Sequence, residues 1–209
     1  NIIDLDEDRR VVVVSAPGKR HSEDEKVTDL LIALGTSIQM HQMDESVYKK
    51  IIDRFQSMTE ELDLSFHVAE QVKDKIDQAI ELVKDGSEHA LDALKACGED
   101  GSAHILSAYL QKAGSDASYV NPKEAGILVR DQPGGALVLE ESFEKLYSLR
   151  HRNEILVIPG FFGYTPEGEL VTFSRGGSDI TGSIVAAGLK ADLYENFTDV
   201  DSVYCVNPM

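Results

Sequence analysis

Hydrophobic spacing along the chain switches between two regimes. Val11-Val12-Val13-Val14 is an unbroken β-branched run, the pattern of a strand buried on both faces of a parallel sheet. It stops at Ser15-Ala16-Pro17-Gly18-Lys19, which is turn chemistry. After a charged stretch at 20–26, residues 27–34 read as a helix. From 43 to 94 apolar residues recur at steps of three and four: Val47, Ile51, Phe55, Met58 and Leu62, then Val68, Val72, Ile76, Ile80 and Val83. Charged residues fill the gaps, so the spacing predicts two amphipathic helices with a break at 63–66, packed on a sheet or on each other.

Beyond Gly98 the short apolar runs return. Residues 103–112 read as a helix closed by Gly114. Strands are expected at 119–120, 127–129 and 136–139, and a helix at 143–149 precedes the most hydrophobic strand, 155–158. A hairpin at 162–173, turning at Pro166-Glu167-Gly168, leads to a helix at 179–189 and to strands near Leu193 and Val203. Strands alternating with helices predict an α/β chain. One domain over 1–209, carrying a helical insertion at 43–95, is the simplest organisation.

Charge narrows the partners. With 20 Lys+Arg against 37 Asp+Glu the chain carries −17, which opposes nucleic acid and anionic membrane surfaces. The polar faces of the helices are not basic, and no apolar run approaches the ~20 residues of a membrane span. Cys97 and Cys205 are too few for a disulfide scaffold and fit a reducing cytosol. A small anionic substrate then needs a local cationic pocket.

The strongest candidate for that pocket is Ser174-Arg175-Gly176-Gly177-Ser178-Asp179, where a strand runs through paired glycines into a helix. Such a turn exposes backbone N–H groups at a helix N-terminus, where anions bind, and Arg175 adds a planar fork for a carboxylate or phosphate. Asp179 stands where a side chain caps the helix, orients a catalytic cation or holds a metal. An ordinary turn capped by Ser178 or Asp179 is the competing reading. Ser15-Ala16-Pro17-Gly18-Lys19 leaves another strand end, so it belongs on the same ligand-binding edge of a parallel sheet. Gly98-Glu99-Asp100-Gly101-Ser102-Ala103 reads as a loop entering a helix, and Asn196-Phe197-Thr198-Asp199-Val200-Asp201 as polar residues after a strand. Asp199 and Asp201 offer oxygen ligands that suit Mg²⁺, but a solvated loop is the commoner outcome for such residues. The six histidines show no metal-ligand spacing, and the chain has no Gly-x-Ser-x-Gly, no Walker loop and no Gly-x-Gly-x-x-Gly.

Taken in order, these segments and Pro159-Gly160-Phe161-Phe162-Gly163 resemble the aspartokinases of the amino-acid kinase superfamily. The resemblance implies a three-layer α/β/α sandwich with a largely parallel central sheet. It also implies cytoplasmic phosphorylation of the β-carboxylate of L-aspartate by Mg-ATP, the first step towards lysine, threonine and methionine. Carried over by position, Arg175 would grip the substrate α-carboxylate and Glu99 its ammonium. Ser15, Ala16, Thr28, Gly176, Gly177 and Ser178 would surround the substrate. Asp179 would organise the phosphate-binding lysine, while Thr198, Asp199 and Tyr204 would face the nucleotide. No protein metal ligand is implied, the Mg²⁺ being held mainly by nucleotide phosphates.

The family's opening K-F-G-G-[ST]-S strand and its C-terminal ACT domains have no counterpart here, and Ser202 stands where the family has glycine. These departures lead to the expectation of an incomplete kinase domain, with homo-oligomerisation carried by the missing regulatory domains. A non-catalytic aspartate-binding module is the rival from another class. A kinase for glutamate or N-acetylglutamate is the rival within the superfamily.

Overall fold

Fourteen elements run along the described part of the chain. β1 (Val11–Val14) is followed by four helices, α1 (Val27–Gln39), α2 (Glu45–Glu61), α3 (Phe66–Lys84) and α4 (Ala90–Lys112). Next come β2 (Ala117–Tyr119), α5 (Pro122–Ala125), β3 (Val129–Arg130), β4 (Leu137–Val138) and α6 (Glu141–Ser148), the last running on into a 3-10 turn, Leu149–His151. β5 (Ile155–Pro159), the hairpin β6 (Phe162–Tyr164) with β7 (Leu170–Thr172), and α7 (Gly177–Leu189) complete the order. The structure is a computed structural model describing residues 3, 6, 8–132, 135–174 and 176–197.

The central sheet has the order β1-β5-β2, with both pairs parallel. Its middle strand shows why this is a layered α/β fold. Alternate side chains of β5 point to opposite faces. Val157 packs with Ala103 and Leu110 of α4, whereas Leu156 and Ile158 pack with Leu146 of α6 and Ile184 and Val185 of α7. Helices therefore cover both faces, and α4 is an inner helix. Its other side meets α1, α2 and α3 around Leu31, Phe55, Val72, Ile76 and Leu94.

The helix breaks follow local chemistry. Asp44 caps α2 by accepting from the Ser46 and Val47 N–H groups, and Ser65 caps α3 from the His67 N–H. Between them Asp63 takes φ 50°, which turns the chain inside the expected break.

Four expectations need correction. The segment 98–103 is not a loop before a helix; it lies inside α4, which is continuous from Ala90. Glycines usually weaken a helix interior by ~1 kcal/mol each, but here they allow close packing. A Cβ on Gly98 would lie 2.7 Å from the Ala16 Cβ, and one on Gly101 2.7 Å from the Phe55 ring. The β1 valines are only half-buried, because among the described residues β1 pairs with β5 alone. The last helix starts at Gly177 rather than at Asp179. Leu193 is not in a strand and is exposed, whereas Val203 lies outside the described residues.

Candidate active site

β1 and β5 run side by side with Val14 opposite Pro159, and the Gly160 N–H donates to the Val14 carbonyl at 2.9 Å. The turns that leave them, 15–19 and 160–161, therefore leave from one carboxyl edge of the sheet. Each is held in place from behind. Val27, at the start of α1, donates its N–H to the Pro17 carbonyl at 3.2 Å. The buried Arg54 of α2 donates to the Gly18 carbonyl at 2.8 Å and to Asp24 at 2.5 Å. Asp24 also accepts from Arg20, and this bonding holds its carboxyl well below the usual carboxylate range. Thr28 follows Val27 in the first turn of α1 and is half-buried.

α4 brings Glu99 to this edge. Because Gly98 touches Ala16, the next residue projects beside the turn, and Glu99 is only 5% exposed. Burial raises its pKa to about 7, against hydrogen bonds from the Ala16 backbone and the Ser178 side chain that favour the charged form. Its Oε2 has no hydrogen-bond partner among the described residues. The adjacent Asp100, equally buried, meets a different environment. It pairs with Lys75 at 2.8 Å and accepts from the Tyr119 hydroxyl, which also receives the Asn121 amide at 3.1 Å. Of two neighbouring buried carboxyls, one is matched by a lysine and the other keeps a buried oxygen unpaired among the described residues.

α7 brings Ser178. Gly160 lies against it so closely that a Cβ on Gly160 would sit 2.8 Å from the Ser178 Cα. Phe161 takes φ 76°, a left-handed conformation that costs a bulky residue on the order of 1–3 kcal/mol. Both of its backbone groups are bonded. The N–H donates to Thr181 Oγ1 at 3.0 Å, and the carbonyl accepts from the Phe173 N–H at 2.7 Å. Gly176, at φ 81°, caps α7, and Gly177 fits under Phe161 only because it has no side chain. Asp179 is exposed and accepts from the Asn196 amide at 3.2 Å.

A cavity of about 1180 Å³ opens beside β1 and α7, with Ser15, Ser178, Asp179, Gly182 and Asn196 in its wall. The edge thus brings together Ser15, Ala16, Glu99 and Ser178, with Thr28, Gly176, Gly177 and Asp179 on the flanking helices. Arg175, Thr198, Asp199 and Tyr204 lie outside the described residues. Gly160, Phe161 and Thr181 were not expected as site residues. Only the glycine-rich run 159–163 pointed to that turn, and Thr181 fell within the expected helix 179–189 with no role assigned to it. Among the described residues one group has metal-ligand atoms close together, Glu88, His89 and Glu169, mutually within 4.8 Å. It sits where the β6–β7 hairpin meets the start of α4, roughly 15 Å of helix from Glu99.

Comparison with known proteins agrees with this architecture. The model of the amino acid kinase family matches residues 1–208. The chain is 48% identical over 208 residues to aspartokinase 3 of Bacillus subtilis, covering all of this chain and 46% of that protein. It is 38% identical over 118 residues to an aspartokinase of Helicobacter pylori, covering 56% of this chain and 29% of that one. Among solved structures, the aspartate kinase of Clostridium acetobutylicum superposes with a TM-score of 0.79 at 34% identity, covering 97% of this chain and 43% of that one. Escherichia coli aspartokinase III, solved with aspartate and ADP, shares the fold at a TM-score of 0.71 and 22% identity, over 91% of this chain and 42% of that one. The chain spans less than half the length of these relatives. By the match along its whole length and by its fold, this chain belongs to the amino acid kinase family.

Proposed function

We propose that this chain supplies the amino-acid-binding part of an ATP-dependent aspartate kinase, which converts L-aspartate to 4-phospho-L-aspartate on the way to lysine, threonine and methionine. The observation that carries the reading is Glu99, a buried carboxylate beside Ala16 and Ser178 with an oxygen that has no hydrogen-bond partner, and no ion pair, among the described residues. A substrate ammonium is the group that such a carboxylate lacks. The identity with aspartokinase 3 of Bacillus subtilis supports the same substrate.

In this reading Glu99 takes the α-ammonium and Arg175 the α-carboxylate. Ser15, Ala16, Thr28, Gly176, Gly177 and Ser178 close around the substrate. A β-carboxylate oxygen then attacks the γ-phosphorus, and the bond to the β,γ-bridging oxygen breaks, with ADP leaving on that electron pair. Such a transfer asks the protein mainly to hold two anions in line and to stabilise spread negative charge. Thr198, Asp199 and Tyr204 face the nucleotide, Asp179 organises a phosphate-neutralising cation, and Mg²⁺ supplies charge neutralisation through the phosphates. The 1180 Å³ cavity beside Ser178 is large enough for a nucleotide. We place the enzyme in the cytoplasm as a homo-oligomer, assembled through regulatory parts of the full-length protein. No helix among the described residues is long and apolar enough to cross a membrane.

N-acetylglutamate has no charged ammonium and leaves Glu99 unmatched, so Glu99 favours a free amino acid. The test is ADP release by the intact protein from Mg-ATP with L-aspartate, L-glutamate and N-acetyl-L-aspartate. Turnover should appear with L-aspartate and vanish when its nitrogen is acetylated, and Arg175→Ala should weaken aspartate more than about tenfold. Equal turnover of the acetylated substrate would overturn the role of Glu99.

A further inference from the structure

Thr181 is fully buried, and its hydroxyl makes two contacts that join separate walls of the site. It donates to the Gly177 carbonyl at 2.8 Å, within the first turn of α7, and accepts from the Phe161 N–H at 3.0 Å. Phe161 is the residue held at φ 76°, and with Gly160 it forms the two-residue link between β5 and β6. Gly160 faces Ser178, and Gly177 would carry a Cβ 2.6 Å from the Phe161 ring. The strained link and the helix start are therefore in van der Waals contact at two points, and one hydroxyl bonds them at a third.

We infer that Thr181 is a positioning residue, whose hydroxyl holds the left-handed Phe161 so that Gly160 and the α7 start keep Ser178 turned towards Glu99. The inference rests on the proposed aspartate site. A phenylalanine relaxes out of the left-handed region unless its surroundings hold it there. Without the hydroxyl, the Phe161 N–H is a donor left without its bond, and its cheapest remedy is to rotate. That rotation moves Gly160, and Ser178 has no free space on that side.

Thr181→Val keeps the shape and removes the bond, whereas Thr181→Ser keeps the hydroxyl. In the intact protein, Thr181→Val should raise the KM for aspartate about five- to tenfold, with KM for ATP and kcat within about twofold of the parent. Thr181→Ser should restore aspartate KM to within about twofold. An unchanged aspartate KM, equal losses for both substrates, or a defect that serine does not rescue would each overturn the inference. Thr181→Ala should show the same split if the valine variant fails to fold. A crystal structure of either hydroxyl-lacking variant tests the device independently of the substrate. Phe161 should leave positive φ there, and its retention would overturn the inference even if aspartate proved not to be the substrate.

Discussion

Gly160 and Ser178 pack directly against each other, although one follows a strand of the central sheet and the other lies in the first turn of the last helix. A methyl on Gly160 would lie 2.8 Å from both the Cα and the Cβ of Ser178. The obstacle is partly backbone, so it cannot swing away as a flexible side chain would. Gly160→Ala should therefore push α7 off the sheet edge and weaken aspartate more than about tenfold, with a loss of stability of about 1–3 kcal/mol. Titration calorimetry with L-aspartate alongside urea unfolding checks both, and normal affinity would mean that the contact is dispensable.

Glu99 makes the fold sensitive to pH. Its carboxyl titrates at 4.5 as an isolated group and at about 7 in the folded chain, because burial penalises the charge. The stability that it contributes is complete below the lower value and is lost as pH rises through about 7, an effect of roughly 3 kcal/mol. Glu99→Gln removes that loss. The urea midpoint of the variant should thus change less between about pH 5 and pH 8 than that of the parent. Identical pH profiles would show that the carboxyl is not penalised.

The same carboxyl links substrate to pH with the opposite sign. An ammonium ligand selects the ionised form, whose population grows as pH passes through about 7. L-aspartate affinity should rise about tenfold between roughly pH 6 and pH 8 and flatten in Glu99→Gln. A flat profile in the parent would remove Glu99 from ammonium recognition.

Gly98 and Gly101 sit on α4 one turn apart and should respond differently to alanine. At Gly101 the methyl meets the Phe55 ring at 2.7 Å and Val72 at 2.9 Å, deep among the helices. Overpacking there should outweigh the gain in helix propensity and cost about 1–2 kcal/mol in chemical denaturation. At Gly98 the methyl meets Ala16 instead, so Gly98→Ala should reduce aspartate affinity more than it reduces stability. Affinity lost equally by both variants would argue that α4 moves as a rigid body.

Cys97 is buried, and burial pushes its thiol up to about 12. In a Cys205→Ser background it should resist a thiol reagent at neutral pH and react fully in denaturant. Rapid labelling of the native protein would show that α4 opens far more readily than its packing suggests.

The alternation of short β-branched runs with helical periods determined the α/β class, and the steps of three and four placed α2 and α3 with the break between them. The hairpin from Phe162 to Thr172 was readable from its turn residues, whereas Ser15, Ala16, Glu99 and Ser178 were expected at the site only through the resemblance of their motifs to a known family. The central course of α4 was not readable. That helix is covered by the sheet on one side and by three helices on the other, so no single apolar stripe survives. Its glycines, which read as loop, mark contacts too close for a side chain. The fate of the two acids beside them was equally hidden, because Lys75 and Tyr119 reach Asp100 from other elements while Glu99 has no ion pair among the described residues. Whether a carboxyl is matched or left open depends on which distant residues the packing brings within about 3 Å of it, and one-dimensional spacing carries no information on that distance.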